Sequence, residues 1–416
     1  MNKIFTGHAI DVLKELPAEL VHCCITSPPF FGLRNYQLEP IIWDGDHECD
    51  HDFSIVQKSG LIHENRNNQR GTQEEVVGQK GTTYIKKYDD KTSAFCSKCG
   101  AWCGHLGLED SCELYIKHLC DIFSEVWRVL KPEGSLWVNI SDSYYGSGPR
   151  AKSLIGIPEM FVLEMQRRGW FRRNTVIRHK TNCTPSSALD RLTNDFEYFY
   201  FFVKSNKPTF WTNKESGDVV RKKPKGIIGA ENFDWKYTAC MKCDGLRRTC
   251  KKCKGNPKGI KVNLWTAHDY YFQTLYEPEK LDSVKRARRG NKENKYSKDE
   301  AFPDGVHANT MSKVRTHKGY DGVEEEYANS KGRILRTVWT QSTSGFKGAH
   351  FAVFPRQLIT PPIVACCPVG GVVLDPFLGS GTTAVVALEL GRQYIGIEAN
   401  PTYVVMSEDR IKNREI

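Results

Sequence analysis

The chain has 416 residues, with 59 Lys and Arg against 49 Asp and Glu, a net charge of +10. That length allows one large α/β domain with insertions or two to three domains, and the basic balance favours a polyanionic partner without bearing on fold. No apolar run approaches the ~18 residues of a membrane span, and "MNKIFTGHAIDVLKELP" lacks a secretory signal's apolar stretch, so no membrane association and a cytoplasmic location are expected, with the 15 cysteines as thiols or metal ligands.

In chain order, "AIDVLKELP" reads as a short amphipathic helix stopped near Pro17. "AELVHCCITSPPF" reads as a buried strand, Val21 to Thr26, that runs into Ser27-Pro28-Pro29-Phe30. The two prolines fix two φ angles and remove two backbone donors. Carbonyls beside them are left to face a ligand, and the neighbouring aromatics suggest that the ligand is flat. Residues 37–110 are polar, Gly-rich and without periodicity, too long for an ordinary loop, and read as an insertion. Regular structure resumes with a helix carrying Leu114, Leu119, Phe123, Val126 and Leu130 at helical spacing, ended by Pro132 and Gly134. "SLWVNIS" (135–141) is a strand, "IPEMFVLEMQRRGW" (157–170) a helix, and "RRNTVIRHK" and "FEYFYFFVKS" two more strands.

Residues 205–340 change character: few apolar runs, many Lys and Arg, a cysteine cluster, and "KRARRGNKENK" (285–295), which fits either a solvated loop or phosphate contact. Order returns with the helix "PRQLITPPIVACCP", the strand "GGVVLDPF", a loop and helix in "LGSGTTAVVALELG", the strand "RQYIGIEAN" and the helix "PTYVVMSEDRIKN". Strand, glycine loop, helix, strand is a βαβ unit and predicts a parallel sheet. Gly379 and Gly381 let backbone approach a ligand closely, with helix N–H groups aimed at it. Glu398, ending the next strand, can accept hydrogen bonds from a ribose. The pattern is neither G-x-G-x-x-G nor a phosphate loop, since no Lys follows the second glycine. Asp375 at the strand end repels phosphate and suits a ligand with a positive amino group.

Two C-x-x-C pairs, Cys240/Cys243 and Cys250/Cys253, carry the spacing of a tetrathiolate zinc site. A second zinc is expected from Cys96 and Cys99 with Cys49 and His51 upstream, closing the 37–110 insertion; His47 is a spare ligand, and Cys103 and His105 compete. Both sites read as structural, because four protein ligands leave no open position. Cys23, Cys24, Cys366 and Cys367 read as small core residues.

"TSPPF" and "DPFLGSGTT" together resemble motifs IV and I of the DNA amino-methyltransferases that use S-adenosylmethionine to methylate cytosine N4 or adenine N6. The catalytic motif comes first and the cofactor loop last, which resembles the β class, with target recognition between them. "WRVLKPEGSLWVNISDSY" is similar to the family's segment after the catalytic strand, "NTVIRHKTNCTPSSALDRLTNDFEYFYFFVKS" to its substrate-side segment, and "HFAVFPRQLI" to motif X, which closes over the cofactor. One departure is His8, where family members often carry Asp, so the resemblance does not carry over a contact to the cofactor adenine at that point.

The resemblance implies an α/β, Rossmann-like methyltransferase fold with a mixed, mostly parallel sheet, to which the cysteine spacings add zinc-stapled insertions. Residues 1–36, 113–204 and 335–416 would form the catalytic core, 37–112 a zinc-binding insertion, and 205–334 a basic target-recognition region with the four-cysteine knuckle. It implies S-adenosylmethionine held by Asp375, Phe377, Gly379, Ser380, Gly381, Thr382 and Glu398, with His350 and Phe351 from motif X, and duplex DNA as partner. The base would be flipped out, its amino group held by the Ser27 hydroxyl and the Pro28 carbonyl, with Pro29 stiffening the turn, Phe30 stacking and Phe31 assisting. Serine in this tetrapeptide leans toward cytosine N4 over adenine N6. An RNA amino-methyltransferase and a zinc-containing DNA-binding protein without catalysis are the alternatives; the basic middle region disfavours the first, and the intact motifs the second. The chain has no Pro-Cys dipeptide, the nucleophile of C5-cytosine enzymes. No nuclease motif is evident, so a cognate restriction endonuclease would act as a separate chain.

Overall fold

The structure is a computed structural model that describes residues 1–33, 38–46, 48–54, 94–183, 188–222, 235–238, 260–278, 333–341 and 354–413. Eight strands form the central sheet: β1 (Asn2–Thr6), β2 (Val21–Thr26), β3 (Leu130–Ile140), β4 (Phe171–Lys180), β5 (Phe196–Val203), β6 (Val338–Gln341), β7 (Val372–Asp375) and β8 (Gln393–Glu398). Their order in space is β1-β8-β7-β2-β3-β5-β4-β6. All neighbours are parallel except β5, which runs antiparallel to both β3 and β4. The mixed, mostly parallel sheet expected from the sequence is therefore present.

The central strands are apolar runs because helices cover both faces. Helices α1 (Ala9–Glu15), α2 (Cys112–Val129) and α3 (Ile157–Arg167) bring Leu13, Phe123 and Phe161 into one cluster with Cys24 and Leu374. Helices α4 (Arg356–Cys366) and α5 (Thr382–Glu389) bring Ile359 and Val386 into the other, with Cys23 and Val373. Successive residues of a strand face opposite ways, so Cys23 and Cys24 serve different layers. Cys23, Cys24, Cys366 and Cys367 are all buried, as expected of small core residues. Helix α6 (Pro401–Asn413) follows β8.

Two elements differ from the sequence expectation. Helix α2 ends at Val129, and β3 begins at Leu130 rather than Ser135. Val21 pairs with Leu130 but Cys23 pairs with Ser135, so Lys131–Gly134 bulge out of the ladder; Pro132, which has no N–H to donate, sits where none is required. Strand β1 has no counterpart in the sequence reading. It is an edge strand with three exposed and two half-buried residues, so it shows no buried run, and its pairing with β8 defines it.

Within 37–112 the described residues form a four-stranded antiparallel sheet of short strands: Ile41–Trp43, Trp102–Gly104, Ala94–Cys96 and Phe53–Ser54. It docks on α2 around the buried His118. That ring stacks on Trp43 and Trp102, with centroids 4.5 and 5.3 Å away, and its nitrogens lie 3.1 Å from Glu109 Oε1 and 3.2 Å from Asp44 Oδ2. Cys240, Cys243, Cys250, Cys253, the run 285–295, His47, His350 and Phe351 lie outside the described residues.

Candidate active site

Strand β7 leads through α5 to β8 on one side, while β2 leads through α2 to β3 on the other. Adjacent parallel strands whose connections diverge leave a crevice beyond their C-terminal ends. Asp375 ends β7 and Ser27 directly follows β2. A cleft of about 400 Å³ opens there. Ser27, Pro28, Pro29 and Phe30 line it on the β2 side, and Asp375, Phe377, Gly379, Ser380, Thr382 and Glu398 on the β7 side. Two segments at opposite ends of the chain thus share one cavity.

They are also bonded together. Thr26 Oγ1 donates to Asp375 Oδ1 at 2.6 Å, and Thr383 Oγ1 donates to Asp375 Oδ2 at 2.6 Å. The Phe377 N–H reaches Oδ1 at 3.1 Å. Asp375 is 3% exposed, and burial pushes its carboxyl up to about 6 against these three donors. Glu398 accepts the Gly379 and Asn400 N–H groups, each at 2.8 Å; burial raises its carboxyl as well. The charged lining on this side is carboxylate, which fits a cationic ligand and repels a phosphate.

The remaining loop residues divide their tasks. Arg410 of α6 donates to Ser380 Oγ at 2.8 Å and to Thr382 Oγ1 at 3.1 Å, so both side chains brace the loop from behind. Gly381 is not among the lining residues. Its φ is +82°, and a Cβ there would lie 2.8 Å from Ser407 Cβ, so its missing side chain lets α6 pack. His8, at the family's frequent Asp position, lines the cleft beside His105. Burial lowers the pKa of both imidazoles.

The tetrapeptide is braced from the insertion side. Tyr115 Oη donates to the Pro29 carbonyl at 2.8 Å. Gly32 N donates to the Gly107 carbonyl at 2.8 Å, and Gly107 N donates to Glu109 Oε2 at 2.7 Å. Glu109 also faces His118, so the dock on α2 and the Ser-Pro-Pro-Phe loop share one carboxylate. Phe30 lines the cleft, whereas Phe31 packs on Tyr115 with ring centroids 5.5 Å apart and is not among the lining residues.

The sequence reading missed Thr26, Thr383, Tyr115 and a polar group on the far wall, Asn139, Arg178, Lys180 and Glu197. The sequence held no signal for Asn139: only the pairing of Val138 with Thr26 brings it, next to last in its strand, level with Ser27. Farther out, Cys49, His51, Cys96 and Cys99 converge, with all four ligand atoms within 4.8 Å of one another. Cys49 Sγ lies 3.9 Å from Cys96 Sγ, and Cys99 Sγ 3.4 Å from His51 Nδ1. Two sulfurs at zinc–thiolate distance from one tetrahedral ion stand roughly 3.8 Å apart, so the donors fit that metal. The competing ligands are elsewhere: Cys103 sits in the strand paired to Ala94 and Ile42, and His105 faces the cleft.

The family description for DNA methylases, N6_N4_Mtase, matches residues 21–409. The chain belongs to this family of DNA methylases. The Type II methyltransferase M.Cfr9I of Citrobacter freundii is 25% identical over 436 aligned positions, covering 99% of this chain and 88% of the relative. The Type II methyltransferase M.SmaI of Serratia marcescens is 24% identical, covering 99% of this chain and 91% of the relative. Among solved structures, the cytosine-N4-specific PvuII DNA methyltransferase aligns with a TM-score of 0.47 at 14% identity, covering 100% of this chain and 88% of that one. Among the described residues of this DNA methylase, no helix is long and apolar enough to cross a membrane.

Proposed function

We propose that this DNA methylase transfers a methyl group from S-adenosylmethionine to the exocyclic amino group of an everted base in duplex DNA, and that the base is cytosine, methylated at N4. The observation that carries the reading is the common cleft in which Ser27 faces the Asp375–Glu398 wall, with Thr26 and Thr383 tying both walls to one carboxylate. When bound, S-adenosylmethionine supplies an electrophilic methyl on a sulfonium. Glu398 accepts from its ribose hydroxyls, Asp375 offers negative charge to its cationic end, Phe377 packs on its adenine, and the Gly379 and Ser380 backbone lets it approach closely. His350 and Phe351, which lie outside the described residues, are the residues that the motif X resemblance assigns to the cofactor.

On the opposite wall the Ser27 hydroxyl oxygen and the Pro28 carbonyl accept the amino N–H bonds. That draws the nitrogen lone pair out of conjugation with the ring and points it at the methyl. Phe30 stacks on the base, which returns about 1–3 kcal/mol of the cost of everting it. Fixed geometry supplies most of the rate; no covalent intermediate is needed. Asp375 is tied to the strand that carries Ser27, so donor and acceptor are held in one frame.

Zinc held by Cys49, His51, Cys96 and Cys99 staples the insertion, and the spacing of Cys240, Cys243, Cys250 and Cys253, outside the described residues, calls for a second structural ion. The relatives named as Type II methyltransferases support a place in restriction–modification, with any cognate endonuclease a separate protein.

The test is transfer of a tritiated methyl to duplex DNA and to RNA, followed by methylome sequencing of cells expressing the chain and Ser27→Ala as control. Label in N4-methylcytosine at one sequence, lost in Ser27→Ala, is the expected result. N6-methyladenine would overturn the base, label in RNA alone the substrate, and full turnover by Ser27→Ala the assigned role of that hydroxyl.

A further inference from the structure

The wall of the cleft that faces away from the cofactor loop continues outward into two surface loops. Ser141, just past the end of β3, lines the cleft, and residues 141–156 lead on from there to α3. Lys180 at the end of β4 and Glu197 at the start of β5 line it too. The connection between those two strands, described at 181–183 and 188–195, therefore springs from the wall at both ends. Lys180 N donates to the Asp195 carbonyl at 2.7 Å and closes its base.

The two loops are joined to each other and to the loop that carries Ser27. Lys152 Nζ lies 3.3 Å from Asp190 Oδ2, and the Arg191 guanidinium sits 4.5 Å from the centre of the Tyr144 ring. Ser143 Oγ donates to the Phe31 carbonyl at 3.4 Å. Asp142 Oδ1 accepts the Gly156 and Ile157 N–H groups at 3.0 and 3.1 Å, which ties the two ends of the first loop together. On this support Leu189 is fully exposed and Leu192 is 91% exposed, while Leu154, bridged to Tyr144, is 51% exposed. Single exposed leucines are ordinary, but a group of them on two joined loops beside a cleft marks an interaction surface. The exposed charges of the same loops are mainly cations: Arg150, Lys152 and Arg191 stand against Asp190. Asp142 is spent on backbone N–H groups, and Asp195 lies 3.4 Å from His179.

Apolar tips flanked by cations fit a partner that offers apolar faces between rows of negative charge. Duplex DNA with one base everted is such a partner. The departing base leaves a gap in the stack, and the faces of the neighbouring pairs are exposed to water unless something fills it. Leucine is among the side chains that proteins insert between base steps as wedges. We propose that Leu189 and Leu192 enter the gap left by the target base, with Lys152 and Arg191 toward the flanking phosphates. The bonds through Tyr144 and Ser143 hold this wedge in register with the tetrapeptide that receives the base. The assignment rests on the base-eversion reading above and adds the residues that keep the base out of the stack.

The experiment uses full-length protein and two duplexes carrying the methylome-defined site, one with the target base paired and one with it opposite an abasic position. The double variant Leu189→Ala, Leu192→Ala is expected to lose roughly 10- to 100-fold in kcat/KM on the paired target, the scale of the apolar burial removed. It is expected to bind S-adenosylmethionine as wild type does. Opposite the abasic position eversion costs least, and the same variant is expected to lose less than about threefold there. Leu189→Met with Leu192→Met keeps the apolar bulk and is expected to recover most of the activity. Lys152→Gln is expected to lower the salt slope of DNA binding by about one. Wild-type kcat/KM in the alanine variant, or an equal loss on both duplexes, would overturn the wedge while leaving the methyltransfer reading intact. An unchanged salt slope in Lys152→Gln would overturn the phosphate contact. Transfer by wild type to neither duplex would remove the methyltransfer reading and this inference with it.

Discussion

The end of the central sheet and the cysteine–histidine insertion hold their functional atoms in place by opposite means. At the sheet end, backbone polar groups are satisfied by strand pairing and apolar helices cover both faces, so Asp375 can be buried and still find three donors. The insertion has strands of two or three residues, and among its described residues the large buried side chains are chiefly Trp43 and Trp102. So small a core cannot offset chain entropy alone; its described side chains dock on His118, and four residues of metal-ligand type converge beside them. Both regions nevertheless brace the same loop, the sheet through Thr26 and the insertion through Gly107, while Tyr115 of α2 adds a bond to the Pro29 carbonyl. The Ser27–Phe30 loop is therefore held by a deep core on one flank and by a small docked patch on the other.

The most direct way to break this comparison is at the loop both regions brace. Ser27→Ala should lower kcat by roughly 100-fold, by analogy with removal of one positioned hydrogen-bonding group in an active site, with unchanged affinity for S-adenosylmethionine by calorimetry. On the sheet side, Thr26→Val leaves Asp375 Oδ1 one donor short and should cost about 1–3 kcal/mol. The loss should appear in both the urea midpoint and cofactor affinity, and a loss confined to turnover would mean the tie does not hold the cofactor wall. On the insertion side, Cys96→Ser should remove one equivalent of zinc by mass spectrometry. Turnover should fall roughly tenfold, the scale of disturbed outer-shell support, with cofactor affinity retained. Zinc-free protein at wild-type kcat would show that the insertion does not brace the loop.

The pH dependence sharpens the contrast further. Asp375 is held at about 6, above its value in an unfolded chain. Its contribution to folding stability is therefore fully present below ~3.9 and lost as pH rises through about 6. A cationic cofactor needs the ionised carboxylate, so its affinity should move the other way, weakening as pH falls through about 6. Asp375→Asn should flatten both profiles, and a cofactor affinity in wild type that is level from pH 5 to 7 would exclude a charge contact. The smallest effect belongs to Lys98→Ala, which breaks an exposed pair with Asp50 beside the insertion ligands. Screened pairs of this kind contribute little, and turnover and zinc content should not change.

Much of this was legible in the residues alone. Strand β2 and its Ser-Pro-Pro-Phe end, the glycine loop after β7 and Glu398 at the end of β8 stand where pattern and residue chemistry put them. The sequence named Cys49, His51, Cys96 and Cys99 with Cys103 and His105 as competitors in the same short stretch, and the structure brings the named four together. Edge strand β1 was hidden by its lack of a buried run, and the early start of β3 by Pro132 and Gly134, which read as terminators and sit in a bulge. Thr26, Thr383 and Asn139 carry no motif of their own, and their roles depend on which strand lies alongside.

From the sequence by itself came the local chemistry: a proline-stiffened tetrapeptide, a glycine turn opening a helix, a run of thiols at metal spacing. Such features are set by φ restrictions, side-chain reach and ligand type, which act within a few residues. Only the tertiary structure decided that β7, near the C-terminus, lies against β2, near the N-terminus, so that the buried carboxylate ending the first accepts a bond from Thr26 ending the second. The reason is that strand neighbours are selected by burying two apolar faces at once, a condition on the whole sheet that no single segment contains.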